Sequence, residues 1–208
     1  MTFLSLHPRS NQKQPPSIRE EHTLFQLTID QIISQYVDLQ HHERNNENLL
    51  ACIYKNTRNS AFFHPSFRLV SLAKLSNHLL QLVETFNKEQ LFTITQNVPI
   101  YIKELNRYLF IQLEMGEWKD NNSFVIKKVL WSNMDKELIV NLISIYVHHA
   151  YIQTPKEIEL IDINGKEGYR YSLRHYSSAV RSIEAVLNSS SADSLYGTFY
   201  SLTKEKQQ

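Results

Sequence analysis

Three stretches of this chain carry residue types whose spacing could do chemistry. In Arg58-Asn59-Ser60-Ala61-Phe62-Phe63-His64, an arginine precedes a histidine with a polar residue directly after it. Near neutral pH a histidine can take a 2′-hydroxyl proton or return one to a leaving group. An arginine can hold the scissile phosphate and steady the charge that develops on it. The second stretch, Glu117-Trp118-Lys119, has the Glu-x-Lys form used by metal-dependent nucleases. That chemistry needs an upstream carboxylate on a neighbouring strand, so that two acids share a Mg²⁺ ion. The nearest upstream aspartates, Asp30 and Asp38, lie far back in a helical segment, so the triplet reads instead as an exposed turn after Gly116. The third stretch, Tyr169-Arg170-Tyr171-Ser172-Leu173-Arg174-His175-Tyr176 with Arg181 beyond, interleaves aromatic and basic residues. On a strand, Tyr169, Tyr171 and Leu173 share one face and Arg170, Ser172 and Arg174 the other. Arg170, Arg174 and Arg181 are thereby candidate nucleic-acid-binding residues, able to meet phosphate or an acidic partner, while the tyrosines fill core.

The first stretch, set between helices of a small bundle, resembles the signature of the HEPN ribonucleases. The resemblance implies Arg58 and His64 as a catalytic pair facing a cleft, usually across a dimer, with Asn59 as orienter and no metal. It covers the motif and its helical setting, residues 17 to 90, and the late β-hairpin has no counterpart in that fold. The same residues also make an ordinary connection. Asn59 and Ser60 form a turn, His64 caps the next helix ahead of Pro65, and Arg58 is a solvated charge at a helix end.

Other constellations reduce to structural roles. His41-His42 and His148-His149 are adjacent pairs, which on a helix point too far apart to chelate one ion. His148 and His149 close an apolar run, where imidazole suits the helix dipole. His78 sits beside an apolar stripe as a boundary residue. The single Cys52 forms no internal disulfide and reads as a small hydrophobe on a helix in a reducing compartment. With four glycines, none clustered, the chain lacks a phosphate-cradling loop. No metal site and no cofactor are expected.

The elements that position these residues follow from periodicity. Residues 1–16, with Pro15-Pro16, read as a flexible arm without a secretory signal. Ser17 and Glu20 have the form of a capping box, ahead of a helix carrying Phe25, Ile29, Ile32, Tyr36 and Leu39 on one face. A shorter helix carries Leu49, Leu50, Ile53 and Tyr54. A third, opened by His64-Pro65, carries Leu72, Leu75, Leu79, Leu82 and Phe86. Together they predict an antiparallel bundle over residues 17–90. Residues 91–203 read as an α+β part, either a second domain or one domain with the bundle. In it Leu91–Thr95 forms a strand, Pro99–Met115 leans towards helix through Ile102, Leu105, Leu109 and Leu113, and Ser123–Trp131 forms a strand. A capping pattern at Ser132–Asp135 opens a helix, Leu138–Ile152, that is apolar almost all round and therefore central. Asn164-Gly165 between two β-favouring runs predicts a hairpin, a last helix follows through Ala179, Val180, Ile183, Val186 and Leu187, and residues 204–208 form a frayed tail.

The predicted fold class is therefore α+β: an N-terminal helical bundle, then a small antiparallel sheet or β-hairpin with a buried central helix. Charge is nearly balanced, with 22 basic and 21 acidic residues, which argues against a surface devoted to phosphate. No apolar window reaches the ~18 residues that would span a membrane. The functional expectation is a cytoplasmic, non-catalytic interaction or regulatory module with a protein partner or as a homo-oligomer. The alternatives are the HEPN-like ribonuclease and a nucleic-acid-associated binding protein.

Overall fold

A computed structural model describes residues 18–58, 68–94, 98–120, 123–131, 135–163, 168–188 and 201–204. The helical stripes of the first half are realised in α1 (Ile18–Val37), α2 (Asn46–Thr57) and α3 (Arg68–Val83). Phe25, Ile29, Ile32 and Tyr36 of α1 are buried, as are Leu75 and Leu79 of α3. Helix α2 begins where the Asn45 side chain accepts the Asn48 amide at 2.9 Å, which satisfies one of the amides a helix start leaves unpaired. Its apolar face is narrower than expected: Leu49 and Ile53 are buried, but Leu50 and Tyr54 are 45% and 69% exposed.

The second half supplies a five-stranded sheet in the order β1-β4-β5-β6-β7, from β1 (Leu91–Thr93), β4 (Met115–Asp120), β5 (Ser123–Leu130), β6 (Glu157–Asp162) and β7 (Gly168–Ser172). It differs from the expected antiparallel sheet, because β5 and β6 pair in parallel, Val125 opposite Glu157 through Leu130 opposite Asp162. Parallel neighbours need a long crossover. Here it is α4 (Lys136–Ala150), capped by Asp135, whose carboxylate accepts the Leu138 amide at 3.1 Å. From Leu138 to Val147 every α4 residue but Asn141 is buried, as the all-round apolar run predicts. The hairpin partners β6 and β7 pair antiparallel, Glu157 opposite Ser172 through Ile161 opposite Gly168; the Asn164-Gly165 turn itself lies outside the described residues, as do the Ser17 and Ser132–Met134 caps and His64-Pro65.

The helix expected over Pro99–Met115 is instead β2 (Ile100–Ile102), a 3-10 turn (Lys103–Leu105) and β3 (Arg107–Phe110), and β3 also pairs with β8 (Ser201–Lys204). Asn106 turns the chain in the left-handed conformation, φ 48°, which asparagine tolerates better than most residues. Ile102 and Leu109 are fully buried, so the apolar residues reach the core from strands. Tyr146 of α4 fastens this second sheet by donating to the Val98 carbonyl at 3.1 Å and accepting its amide at 3.0 Å.

Two cores lie on opposite faces of the five-stranded sheet. One joins α1, α2 and α3 to Leu91, Met115, Val129 and Ile161. The other joins α4 and α5 (Tyr176–Asn188) to Phe124, Ile126, Ile158 and Leu160. The N-terminal helices are thus a layer sharing its core with the sheet, and the molecule is built as helices, sheet, helices.

Candidate functional site

Along β5 the side chains alternate between the two cores, with Val129 facing α1–α3 and Ile126 facing α4. Lys127 falls on the α3 side, in the middle of a mostly apolar strand. Strand register places Met115, Lys127, Glu159 and Arg170 in one row across β4, β5, β6 and β7. The Lys127 Nζ lies 2.7 Å from Glu117 Oε2 and 2.9 Å from Glu159 Oε2, and Lys119 holds the other Glu117 oxygen. The Phe86 ring sits 5.3 Å from the same Nζ, a cation–π contact. Burial by itself would raise the Glu117 pKa, but Lys119 and Lys127 together outweigh it and hold the carboxyl below its ordinary range.

These charges floor a cavity of about 420 Å³, within the size range of small-molecule sites. Its roof is the second half of α3 and the turn after it, with His78, Gln81, Leu82 and Thr85, and Arg170 of β7 closes one side. Two buried polar atoms of lining residues, His78 Nδ1 and Gln81 Oε1, have no hydrogen-bond partner.

Glu117-Trp118-Lys119 is accordingly not an exposed turn. It lies in β4, where Glu117 is 4% exposed and Glu117 and Lys119, two apart on a strand, share the cavity face. The second carboxylate comes from neither Asp30 nor Asp38 but from Glu159, downstream on β6. Periodicity held one signal for this site: two adjacent lysines inside Ser-Phe-Val-Ile-Lys-Lys-Val-Leu must find acids if the strand is central. His78, expected as a boundary residue, proves to line the cavity.

The neighbouring Lys128 belongs to a separate, closed cluster. Its Nζ lies 2.9 Å from Asp30 Oδ2 and 2.6 Å from Glu114 Oε1, and donates to the Gln112 carbonyl at 3.2 Å. Gln26 completes it, donating to Asp30 at 2.6 Å and to the Val129 carbonyl at 2.7 Å while accepting the Trp131 amide at 2.7 Å. Lys128, Asp30 and Gln26 are fully buried, so this cluster docks α1 on the sheet and reaches no ligand. Burial, then the Asp30 charge, pushes the Glu114 pKa up to about 8, and burial raises Asp30 against the pull of Lys128.

Of the ribonuclease residues, Arg58 is the exposed C-cap of α2, its amide donating to the Tyr54 carbonyl at 3.0 Å; Asn59 and His64 lie outside the described residues. The three arginines of the third stretch are not brought together. Arg170 lines the cavity, and Arg174 pairs with Glu137 at 2.7 Å on the surface. Arg181 lies on α5, across the sheet, its Nε donating to the Ser177 carbonyl at 3.2 Å. Tyr171 packs on the α4 core, while Tyr169 is exposed with Lys136 over its ring.

His41 and His42 sit on an exposed 3-10 turn. His149 meets the Tyr176 hydroxyl at 3.1 Å, and that hydroxyl donates to Glu104 at 2.8 Å. Burial raises the Cys52 thiol pKa, the opposite of what activates a nucleophile. Among the described residues no group of three or more His, Cys, Asp or Glu could hold a metal ion, and no helix is long and apolar enough to cross a membrane.

Fold and site together define a layered α+β protein with a charge-lined cavity between one helix layer and its sheet. No protein-family model matches the chain, and comparison with curated proteins finds no significant match.

Proposed function

We propose that this protein is a non-catalytic interaction module, cytoplasmic, that works by binding through the cavity between α3 and the sheet and acts on a protein partner or a second copy of itself. The observation that carries this reading is the neutralisation of the cavity acids. Both oxygens of Glu117 are held by lysine ammonium groups, and Glu159 lies against one of the same lysines. A carboxylate engaged this way is a poor base and a poor metal ligand, because each role requires breaking an ion pair first. What remains for the cavity is recognition, with polar groups set in an apolar frame of Leu82, Ile161 and Ile163.

One observation favours a second reading. A single ammonium bridges Glu117 and Glu159, and a divalent cation displacing it would find two carboxylates, the arrangement that metal-assisted phosphodiester hydrolysis uses.

One experiment separates these readings and the HEPN-like one. Labelled single-stranded RNA and DNA are incubated with the full chain in EDTA, in Mg²⁺ and in Mn²⁺. The module reading expects no cleavage in any condition. Cleavage in EDTA that His64→Ala abolishes would establish the ribonuclease. Cleavage only with metal, lost in Glu117→Gln, would establish the hydrolase.

A further inference from the structure

We propose that the exposed face of α2 is a docking surface for a second copy of this chain, packed antiparallel about a twofold axis at Ala51. The proposal takes up the second-copy branch of the module reading and does not depend on the cavity, which α2 does not line. Leu49, Ile53 and Thr57 turn one side of α2 into the core, where the helix packs on α1 and α3. The opposite side carries two adjacent rows at a spacing of four, Glu47-Ala51-Lys55 and Leu50-Tyr54-Arg58, and all six residues are exposed. Scattered exposed apolar residues are ordinary on a surface. Here two large ones stand one turn apart on a single row, Leu50 at 45% and Tyr54 at 69%, and Tyr54 is the most exposed Tyr, Trp or Phe among the described residues. A tyrosine in such a row is the type of residue that interfaces concentrate.

The order of charge along α2 selects this occupant. Glu47 stands in the first turn and Lys55 in the last, each four residues, about 6 Å along the axis, from Ala51. A second α2 turned end for end about Ala51 brings each Glu47 level with the partner's Lys55, twice over, as a twofold contact requires. A parallel copy would set like charges together. Neither Glu47 nor Lys55 makes an ion pair among the described residues, so both are free to serve this contact. Ala51 at the crossing has only a methyl group, which lets the two axes approach to about 8 Å, and each Tyr54 then packs on the partner's Ala51 and Leu50. One helix pair is a small interface, under about 1,200 Å² in total, which is the range of weak and transient contacts. The dimer is therefore expected to dissociate at about 10–100 µM.

The test is sedimentation velocity of the full chain from about 1 to 300 µM, a range that brackets a contact of this strength. The expected result is a reversible monomer–dimer equilibrium, weakened about tenfold or more by Leu50→Glu and by Tyr54→Glu. Both side chains already face solvent, so far-ultraviolet circular dichroism should not change. Glu47→Lys and Lys55→Glu should each weaken self-association about tenfold by opposing like charges, and an equimolar mixture of the two should dimerise again, because every charge contact in the mixed pair joins opposite signs. Recovery on mixing is a result that impaired folding cannot produce. A monomer at every concentration, a dimer undiminished in Tyr54→Glu, or a mixture that stays monomeric would each overturn the assignment. Nucleic-acid cleavage lost in Glu117→Gln would instead overturn the module reading, so the two failures are distinguishable.

Discussion

At Lys128 a single ammonium serves two buried acids, Asp30 and Glu114, and the chemistry of that imbalance sets how stability depends on pH. With both acids ionised the cluster would carry an uncompensated negative charge in a dry interior, so Glu114 keeps its proton up to about pH 8. The folded value lies above the unfolded one near 4.5, so the folded state binds the extra proton between them. Stability from this group is therefore full below about pH 4.5 and declines as pH rises towards 8, by at most ~1.4 kcal/mol per pH unit. Urea unfolding across this window should show the decline in the wild type and lose it in Glu114→Gln; an unchanged slope would mean that Glu114 titrates normally. Lys128→Met strands two acids in the core and should cost about 3–5 kcal/mol at pH 7. A loss below ~1 kcal/mol by the same measurement would show that the cluster does not hold α1 to the sheet.

Between elements, Arg44 does for the helix layer what Lys128 does for the interior. Its guanidinium donates to the Val37 carbonyl at 2.7 Å, the Leu39 carbonyl at 2.9 Å and the Leu91 carbonyl at 3.2 Å, and also to Lys88. The end of α1 leaves carbonyls without helical partners, and here they are satisfied by the same side chain that grips the entry to β1. Arg44→Met should lower stability by about 2–4 kcal/mol, read as a fall in melting temperature, because several buried carbonyls lose a charged donor together. Asp135→Ala removes the cap of α4 and should cost about 1 kcal/mol. A larger effect for the cap than for Arg44 would contradict this ranking.

For the molecule as a whole, the decisive feature is that one sheet carries a core on each face. The helices α1, α2 and α3 share theirs with β1, β4, β5 and β6, so they should not outlast the sheet. Thermal unfolding followed by far-ultraviolet circular dichroism and by tryptophan fluorescence should give coincident single transitions. Trp131 reports the helix layer through its contact with Phe25, ring centroids 4.1 Å apart, and Trp118 reports the sheet through Phe92 at 5.0 Å. Two separated transitions would show instead that residues 17–90 form a domain of their own.

Much of this architecture could be read locally. The stripe from Phe25 to Tyr36, the strand at Ser123–Trp131, the all-round apolar α4 and the hairpin pairing of β6 with β7 each follow from a pattern within one segment. Pro99–Met115 could not be read so, because Ile102, Leu105, Leu109 and Leu113 satisfy helical spacing while β3 forms by pairing Leu109 with Leu202, a partner far along the chain. The candidate site divides the same way. Residue type and alternation determine that Glu117 and Lys119 share a face once β4 is a strand, and that Lys127 needs an acid. That the acid is Glu159, with Arg170 beside it and His78 and Gln81 above, depends on the parallel register of β5 with β6 and on where α3 comes to rest. Periodicity is a property of neighbours in sequence; register and layer packing are chosen by burial summed over the whole chain, and only the tertiary structure performs that sum.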